Sequence, residues 1–305
     1  MPVVKVFMYH DIRDHERTDF GRRYYKRYNL RSFLDKTQFE HQINLIKNSS
    51  DIISCSDFLQ LDKKDNGSYS ILSFDDGLLD HYHIQNILIE NKASGVFLIP
   101  AEPVIERKIM RTHKIQFIMA SADEKKIVLW ICDKLGDKGE LWNKFSKSKW
   151  KNNWWSPEMV FITNILRKHP QGQSMTDELF NMFVTSDEAS FCDEFYLNNN
   201  QIREMVTNGM EMGGHGYVSN NLSRMTAAEV YDELSKSVKF VKNFYDGYRL
   251  FAYPNGGYND IVLSCMVEHK YDLSFTTQQD TLLSLENLTP LKIPRYDGPQ
   301  ALPLC

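Results

Sequence analysis

Cysteine is scarce in this sequence of 305 residues, with five in all: Cys55, Cys132, Cys192, Cys265 and Cys305, widely spaced and with no C-x-x-C pair among them. An odd, scattered set excludes a disulfide framework and a thiolate zinc site, and it fits a reducing compartment. Long apolar runs are lacking too. No stretch nears the roughly 18 uninterrupted apolar residues of a membrane span, and the opening Met1-Pro2-Val3-Val4-Lys5-Val6-Phe7-Met8 has neither the length nor the basic leader of a secretory signal. A cytoplasmic protein is expected. Positive charge is not in excess either: 36 Lys and Arg stand against 40 Asp and Glu, a formal net charge of -4. That balance lacks the general field of a nucleic-acid binder, so nucleic acid is not an expected partner. Internal repeats and low-complexity tracts are absent.

What remains is an ordinary globular composition, 42% hydrophobic and 25% charged. Short apolar runs bounded by turn residues predict buried parallel strands at Val3 to Met8, Ser70 to Phe74, Gly95 to Ile99, Met210 to Gly213, Leu250 to Tyr253, Leu273 to Thr276 and Leu291 to Pro294. Helices are predicted between them. Lys36 to Lys47 carries the capping box Thr37-x-x-Glu40, and Ala227 to Phe244 carries Thr226-x-x-Glu229. Alternation of this kind means βα units around a parallel sheet or barrel. It breaks from about Pro103 to Arg203, where strand signals vanish and helical spacings such as Met159, Val160, Ile162, Ile165 and Leu166 take over. Within that stretch Lys144, Lys147, Lys149 and Lys151 alternate with Phe145, Trp150, Trp154 and Trp155. Two readings stay open for the cluster: a grip on a phosphate-bearing or sugar ligand, or an amphipathic segment plugging the insertion onto the barrel.

Chemistry concentrates at strand ends. Ser70-Ile71-Leu72-Ser73-Phe74-Asp75-Asp76-Gly77 is an apolar strand finishing in two adjacent carboxylates, which are costly there unless something cationic meets them. In the turn that follows, both can swing toward one cavity, one to bind a metal and the other to act as a base. Gly213-Gly214-His215 and Met8-Tyr9-His10 each end a strand in a histidine, and Tyr253-Pro254-Asn255-Gly256 ends another in a rigid turn whose backbone N–H groups can face a ligand. Polar strand tips of this sort build the active-site face of a barrel.

With these motifs the chain resembles the polysaccharide deacetylases of the NodB-homology type, carbohydrate esterase family four, and within them the glycan-biosynthesis branch that begins Met-Tyr-His. Ser73-Phe74-Asp75-Asp76-Gly77 resembles the first family motif, Gly213-Gly214-His215 with Leu222 the second, and Tyr253-Pro254-Asn255-Gly256 the third. The resemblance implies an α/β fold, a distorted (β/α) barrel, as a single domain over residues 1–305 interrupted by a helical insertion at about 103–203. The implied reaction is metal-assisted removal of an N-acyl group, acetyl or formyl, from an amino sugar.

Carried over by position, Asp75 is the general base, and Asp76 and His215 are ligands of a divalent metal, zinc. The third ligand, a histidine in the family, falls on Ser219, so the ion is weakly held, held by a substitute such as Asn220, His81 or His83, or absent. The family's arginine that pairs with the base falls on Ala252, and Arg295 is the expected replacement. The family's C-terminal general-acid histidine has no counterpart, since no histidine follows His269, and the resemblance to the branch beginning Met-Tyr-His implies His10 as the general acid. Asn255, with Tyr253 and Pro254, would receive the oxyanion and substrate. The expected substrate is an amino-sugar precursor, nucleotide-linked or lipid-linked. Two alternatives stay open: a degenerate barrel that binds glycan or nucleotide sugar without hydrolysis, and a metal-independent amidohydrolase.

Overall fold

The computed structural model describes residues 2–13, 34–62, 64–137, 139–146, 155–279, 283–284 and 289–301. Their contacts fall into two units, one of residues 2–13, 34–107 and 193–301, the other of residues 108–192.

The first unit is a curled, almost wholly parallel sheet. Its strands are Val3–Tyr9 (β1), Asp51–Ile52 (β4), Ser68–Asp75 (β5), Val96–Ile99 (β6), Glu211–Gly214 (β7), Leu250–Ala252 (β8), Leu273–Phe275 (β9), Leu283–Ser284 (β10) and Tyr296–Asp297 (β11). They run in the order β10-β1-β5-β6-β7-β8-β9, with β4 beside β5 and β11 beside β1; β10 alone is antiparallel. A separate pair joins Ile12–Arg13 (β2) to Leu34–Asp35 (β3). The strands read as unbroken apolar runs because both faces are covered. Period-two alternation sorts their side chains. Val4, Val6, Ile71, Val96, Leu98, Leu250, Leu273 and Phe275 meet in one inward cluster, while Phe7, Tyr9, Leu72, Phe74, Phe97 and Met212 pack against the helices Lys36–Lys47 and Leu79–Glu90. Closure comes from one short segment: Ile293 bridges to Phe275, and Tyr296 and Asp297 then pair with Phe7 and Met8 of β1. The architecture is a distorted (β/α) barrel.

Two local expectations are corrected. Leu291 to Pro294 does not form a strand; Pro290–Lys292 is a 3₁₀ turn and only Ile293 bridges, because Pro290 and Pro294 bracket the run with two residues that cannot donate to a ladder. The helix Lys36–Lys47 is capped by Asp35 in a box with Gln38, two residues before the expected Thr37 and Glu40. The second helix forms at Ala227–Val241 with Thr226 and Glu229 as its box.

The second unit is helical, with Arg111–Ser121, Glu124–Leu135, Glu140–Phe145, Pro157–Lys168 and Gly172–Phe183, and no strand among its described residues. Val160, Ile162, Ile165 and Leu166 are buried as their spacing predicts. Lys114 is buried here and donates to Asp177 at 2.7 Å and Glu188 at 3.0 Å. Among the described residues, no helix is long and apolar enough to cross a membrane.

Candidate active site

Strand β5 ends at Asp75, and the chain then turns sharply. Asp76 has φ +77° and Gly77 φ +64°, two successive residues in the left-handed region, which short polar residues and glycine tolerate. A side chain at position 77 would also strike Ile99, since its Cβ would fall 2.8 Å from Cγ2. The turn separates the two carboxylates. Asp75 keeps the strand's inward direction beside Ser73, while Asp76 leaves it.

Inside the barrel Arg295 meets Asp75. Its Nη1 donates to Asp75 Oδ1 at 2.7 Å, Nη2 to Oδ2 at 2.8 Å, Nη1 also to Ser73 Oγ at 3.1 Å, and Nε to the Thr276 carbonyl at 2.9 Å. Both side chains are dry, 0% and 3% exposed. The bidentate fork suits guanidinium and carboxylate geometry and specifies orientation as well as charge. Burial by itself would raise the Asp75 carboxyl. The charge and hydrogen bonds of Arg295, helped by His215 and His10, outweigh it and hold Asp75 below its ordinary value. Arg295 precedes β11 and does not sit at a strand's end, yet the closing segment turns it inward to the position that Ala252 on β8 leaves without a cation.

His10 follows β1, and its Nε2 lies 3.9 Å from Asp75 Oδ2 with the side chain 38% exposed, so it is the part of this group open to solvent. Asp297 lies beside the same strand; burial raises its carboxyl and the nearby His10 opposes that rise.

The second pair is Asp76 and His215. His215 Nδ1 lies 2.9 Å from the Ala252 carbonyl, and a carbonyl only accepts, so Nδ1 carries the proton and Nε2 presents its lone pair. Nε2 is 3.5 Å from Asp76 Oδ1. A lone pair facing a carboxylate calls for positive charge between them. An ion about 2.1 Å from each donor at a tetrahedral angle would span roughly 3.4 Å, so the separation fits a divalent cation held by both. A third donor is not assembled: among the described residues no three of His, Cys, Asp and Glu come together as a metal cluster. Ser219 is half-buried at φ +56°, and its hydroxyl makes no hydrogen bond with the described residues. Asn220 is exposed. His81 and His83 lie on the helix Leu79–Glu90; His81 is engaged with the His10 main chain, and His83 stacks edgewise on Tyr82.

The loop after His215 is held from two sides. Ala101 and Glu102 donate from their backbone to the carbonyls of Gly216 and Tyr217, and Glu233 accepts from Tyr217 N at 2.8 Å and Val218 N at 3.3 Å. Sequence reasoning missed Glu233, which lies among the buried residues of the helix Ala227–Val241. It also missed Ser73, which strand alternation places beside Asp75 and which could have been found that way. In the third turn Asn255 is exposed at φ +54°, Pro254 is buried, and the Tyr253 side chain is fully buried with its hydroxyl donating to the Leu291 carbonyl. Of the basic-aromatic cluster, Lys144, Phe145 and Trp155 are described, whereas Lys147, Lys149, Trp150, Lys151 and Trp154 lie outside the described residues.

Carboxylates and imidazoles at the strand ends place the candidate site at the mouth of the (β/α) barrel. Residues 175–274 match the family model described as polysaccharide deacetylase. Three solved structures share the fold and each matches 96% of this chain. A Streptococcus pyogenes deacetylase, PplD, in complex with acetate, has a TM-score of 0.56 at 16% identity, with 91% of its chain covered. A polysaccharide deacetylase from Bacillus cereus has a TM-score of 0.56 at 16% identity, with 64% of its chain covered. A de-N-acetylase from Aggregatibacter actinomycetemcomitans has a TM-score of 0.52 at 16% identity, with 94% covered. Curated proteins give no match. Residues 175–274 thus resemble the polysaccharide deacetylases in sequence, and the solved structures share the fold of the chain.

Proposed function

We propose that this chain removes an N-acyl group, acetyl or formyl, from an amino sugar in a glycan precursor, nucleotide-linked or lipid-linked. The observation that carries the reading is the forked Arg295–Asp75 pair beside His10, next to the Asp76–His215 pair with its cation-sized gap. Asp76 and His215 would hold a divalent cation, zinc, which when bound polarises the acyl carbonyl and acidifies water. The other roles belong to the chain's own groups. Asp75, kept ionised and oriented by Arg295, takes a proton from the attacking water on a lone pair the fork leaves open. The backbone N–H of Asn255, in the turn built by Tyr253 and Pro254, donates to the oxyanion. His10 hands a proton to the departing amine, without which that leaving group is far too basic. The helical unit Lys108–Cys192 is read as an insertion into this catalytic barrel.

A second reading, a barrel that binds glycan or nucleotide sugar without hydrolysis, draws its support from Ser219, which supplies no imidazole. One experiment decides between them. Metal content is measured on protein purified without chelator, and acetate and formate release is screened over nucleotide-linked and lipid-linked amino sugars. The proposal expects sub-stoichiometric zinc and measurable release; ligand binding with no release favours the second reading.

A further inference from the structure

A third imidazole lies against the main chain of His10 and has no part in the reaction as written above. His81, in the first turn of the helix Leu79–Glu90, is fully buried against the stacked rings of Phe74 and Phe97, its centroid 5.6 Å from each. Its Nε2 is 2.6 Å from the carbonyl oxygen of His10. Since a carbonyl only accepts, Nε2 is the protonated nitrogen and donates. Nδ1 is then a bare acceptor, and it has no partner among the described residues. Burial pulls the imidazole down to about 4, so the ring is neutral at ordinary pH and the donor is constant.

For packing alone this residue is a poor choice. A phenylalanine or leucine would pack against the Phe74–Phe97 stack without leaving a nitrogen unpaired. What the imidazole adds is one hydrogen bond, and its location is telling. The β1–β5 ladder stops at Tyr9 and Phe74, so His10 is the first residue beyond the sheet's own hydrogen bonds. Its side chain must nevertheless be held 3.9 Å from Asp75 while 38% exposed.

We propose that His81 is a positioning residue for His10: its Nε2–H anchors the His10 carbonyl where the β1 ladder ends and thereby fixes the imidazole against Asp75. The proposal rests on the reading of His10 as the proton donor to the leaving amine. His81→Phe removes the donor and keeps the volume; His81→Gln returns an N–H at the same reach. Because small misplacements of a catalytic group cost large factors, His81→Phe should lower kcat about 10- to 100-fold with KM changed less than about twofold. His81→Gln should recover most of the loss.

A double-mutant cycle separates positioning from general damage: in a His10→Gln background His81→Phe should change kcat by less than about threefold. A full loss repeated in that background, or His81→Phe within about threefold of wild type, overturns the proposal. A wild type that releases no acyl group would count against the deacetylase reading instead, and carbethoxylation of His10 by diethyl pyrocarbonate, followed by mass spectrometry, then decides. The rate should rise at least about threefold in His81→Phe and return in His81→Gln, because a loosened His10 is more accessible. An unchanged rate overturns the anchoring role. Nitrogen NMR of the wild type gives a check free of any folding defect: His81 must be the Nε2–H tautomer, and an Nδ1–H tautomer refutes the proposal.

Discussion

Lys114 in the helical unit and Arg295 in the barrel are both buried cations, and their partners differ in one respect. Lys114 meets Asp177 at 2.7 Å and Glu188 at 2.9 Å, carboxylates that are 42% and 26% exposed. Arg295 meets Asp75, which is 3% exposed. Carboxylates open to water can be solvated again if their cation is lost, but a dry one cannot. The helical unit therefore uses an ion pair as a replaceable tie between its helices. The barrel uses one to keep a carboxylate charged at a nearly buried site, and that carboxylate stands beside a partly exposed histidine. Between these two pairs, burial of the acceptor rather than the presence of a salt bridge is what differs.

Breaking the barrel's pair should have the largest effect. Arg295→Met leaves the Asp75 carboxylate buried without a partner, and urea unfolding at pH 7 should show a loss of about 3–5 kcal/mol. The sign of the pH dependence should also reverse. In the wild type Asp75 is held below its ordinary value, so its contribution is present above about pH 4 and is lost as pH falls further. In the variant an unpaired buried carboxyl favours its neutral form, so acidification from pH 7 toward pH 5 should stabilise the protein. A variant as stable as wild type at pH 7 would mean that Asp75 is solvated and the comparison with Lys114 is empty.

The matching change in the helical unit should cost less. Lys114→Met leaves Asp177 and Glu188 free to turn to water, and a loss of about 1–2 kcal/mol is expected in the same assay. Acyl release per folded molecule should not change. A penalty equal to that of Arg295→Met would remove the distinction drawn from exposure.

How much of this was legible in the sequence follows from what kind of force sets each feature. Six of the seven expected strands formed, because apolar runs buried on both faces owe their burial to composition alone. The seventh failed at Pro290 and Pro294, where ladder chemistry overrides apolarity. Asp75, Asp76, His10 and His215 were legible as polar residues ending apolar strands. Arg295 was expected only through the family resemblance, as the replacement for the arginine that falls on Ala252, and its hydrogen bonds to Ser73 and Thr276 depend on how the segment before β11 closes the barrel. The work of Glu233 and His81 was not legible. Each acts on backbone atoms of a loop or strand end far away in sequence, and backbone partners leave no trace in residue types.

The smallest effect is expected at Ser219. Its left-handed backbone is one that histidine enters more readily than most residues, so Ser219→His should be accommodated and should add a second imidazole to Asp76 and His215. Zinc titration by calorimetry should show weak binding by the wild type and a gain of at least about tenfold in the variant. Tight binding by the wild type, or no gain, would show that the cation's ligands lie elsewhere.

The central claim is that Asp75 is the proton acceptor of an amide hydrolysis, and one measurement addresses it directly. Acetate and formate release from N-acylated amino sugars is compared between the wild type and Asp75→Asn, each normalised to folded protein because the asparagine leaves Arg295 without its counter-charge. Loss of a general base should lower the rate about 10²- to 10⁴-fold. Release by the variant within about threefold of the wild type would contradict the claim, since a neutral amide cannot take the water's proton.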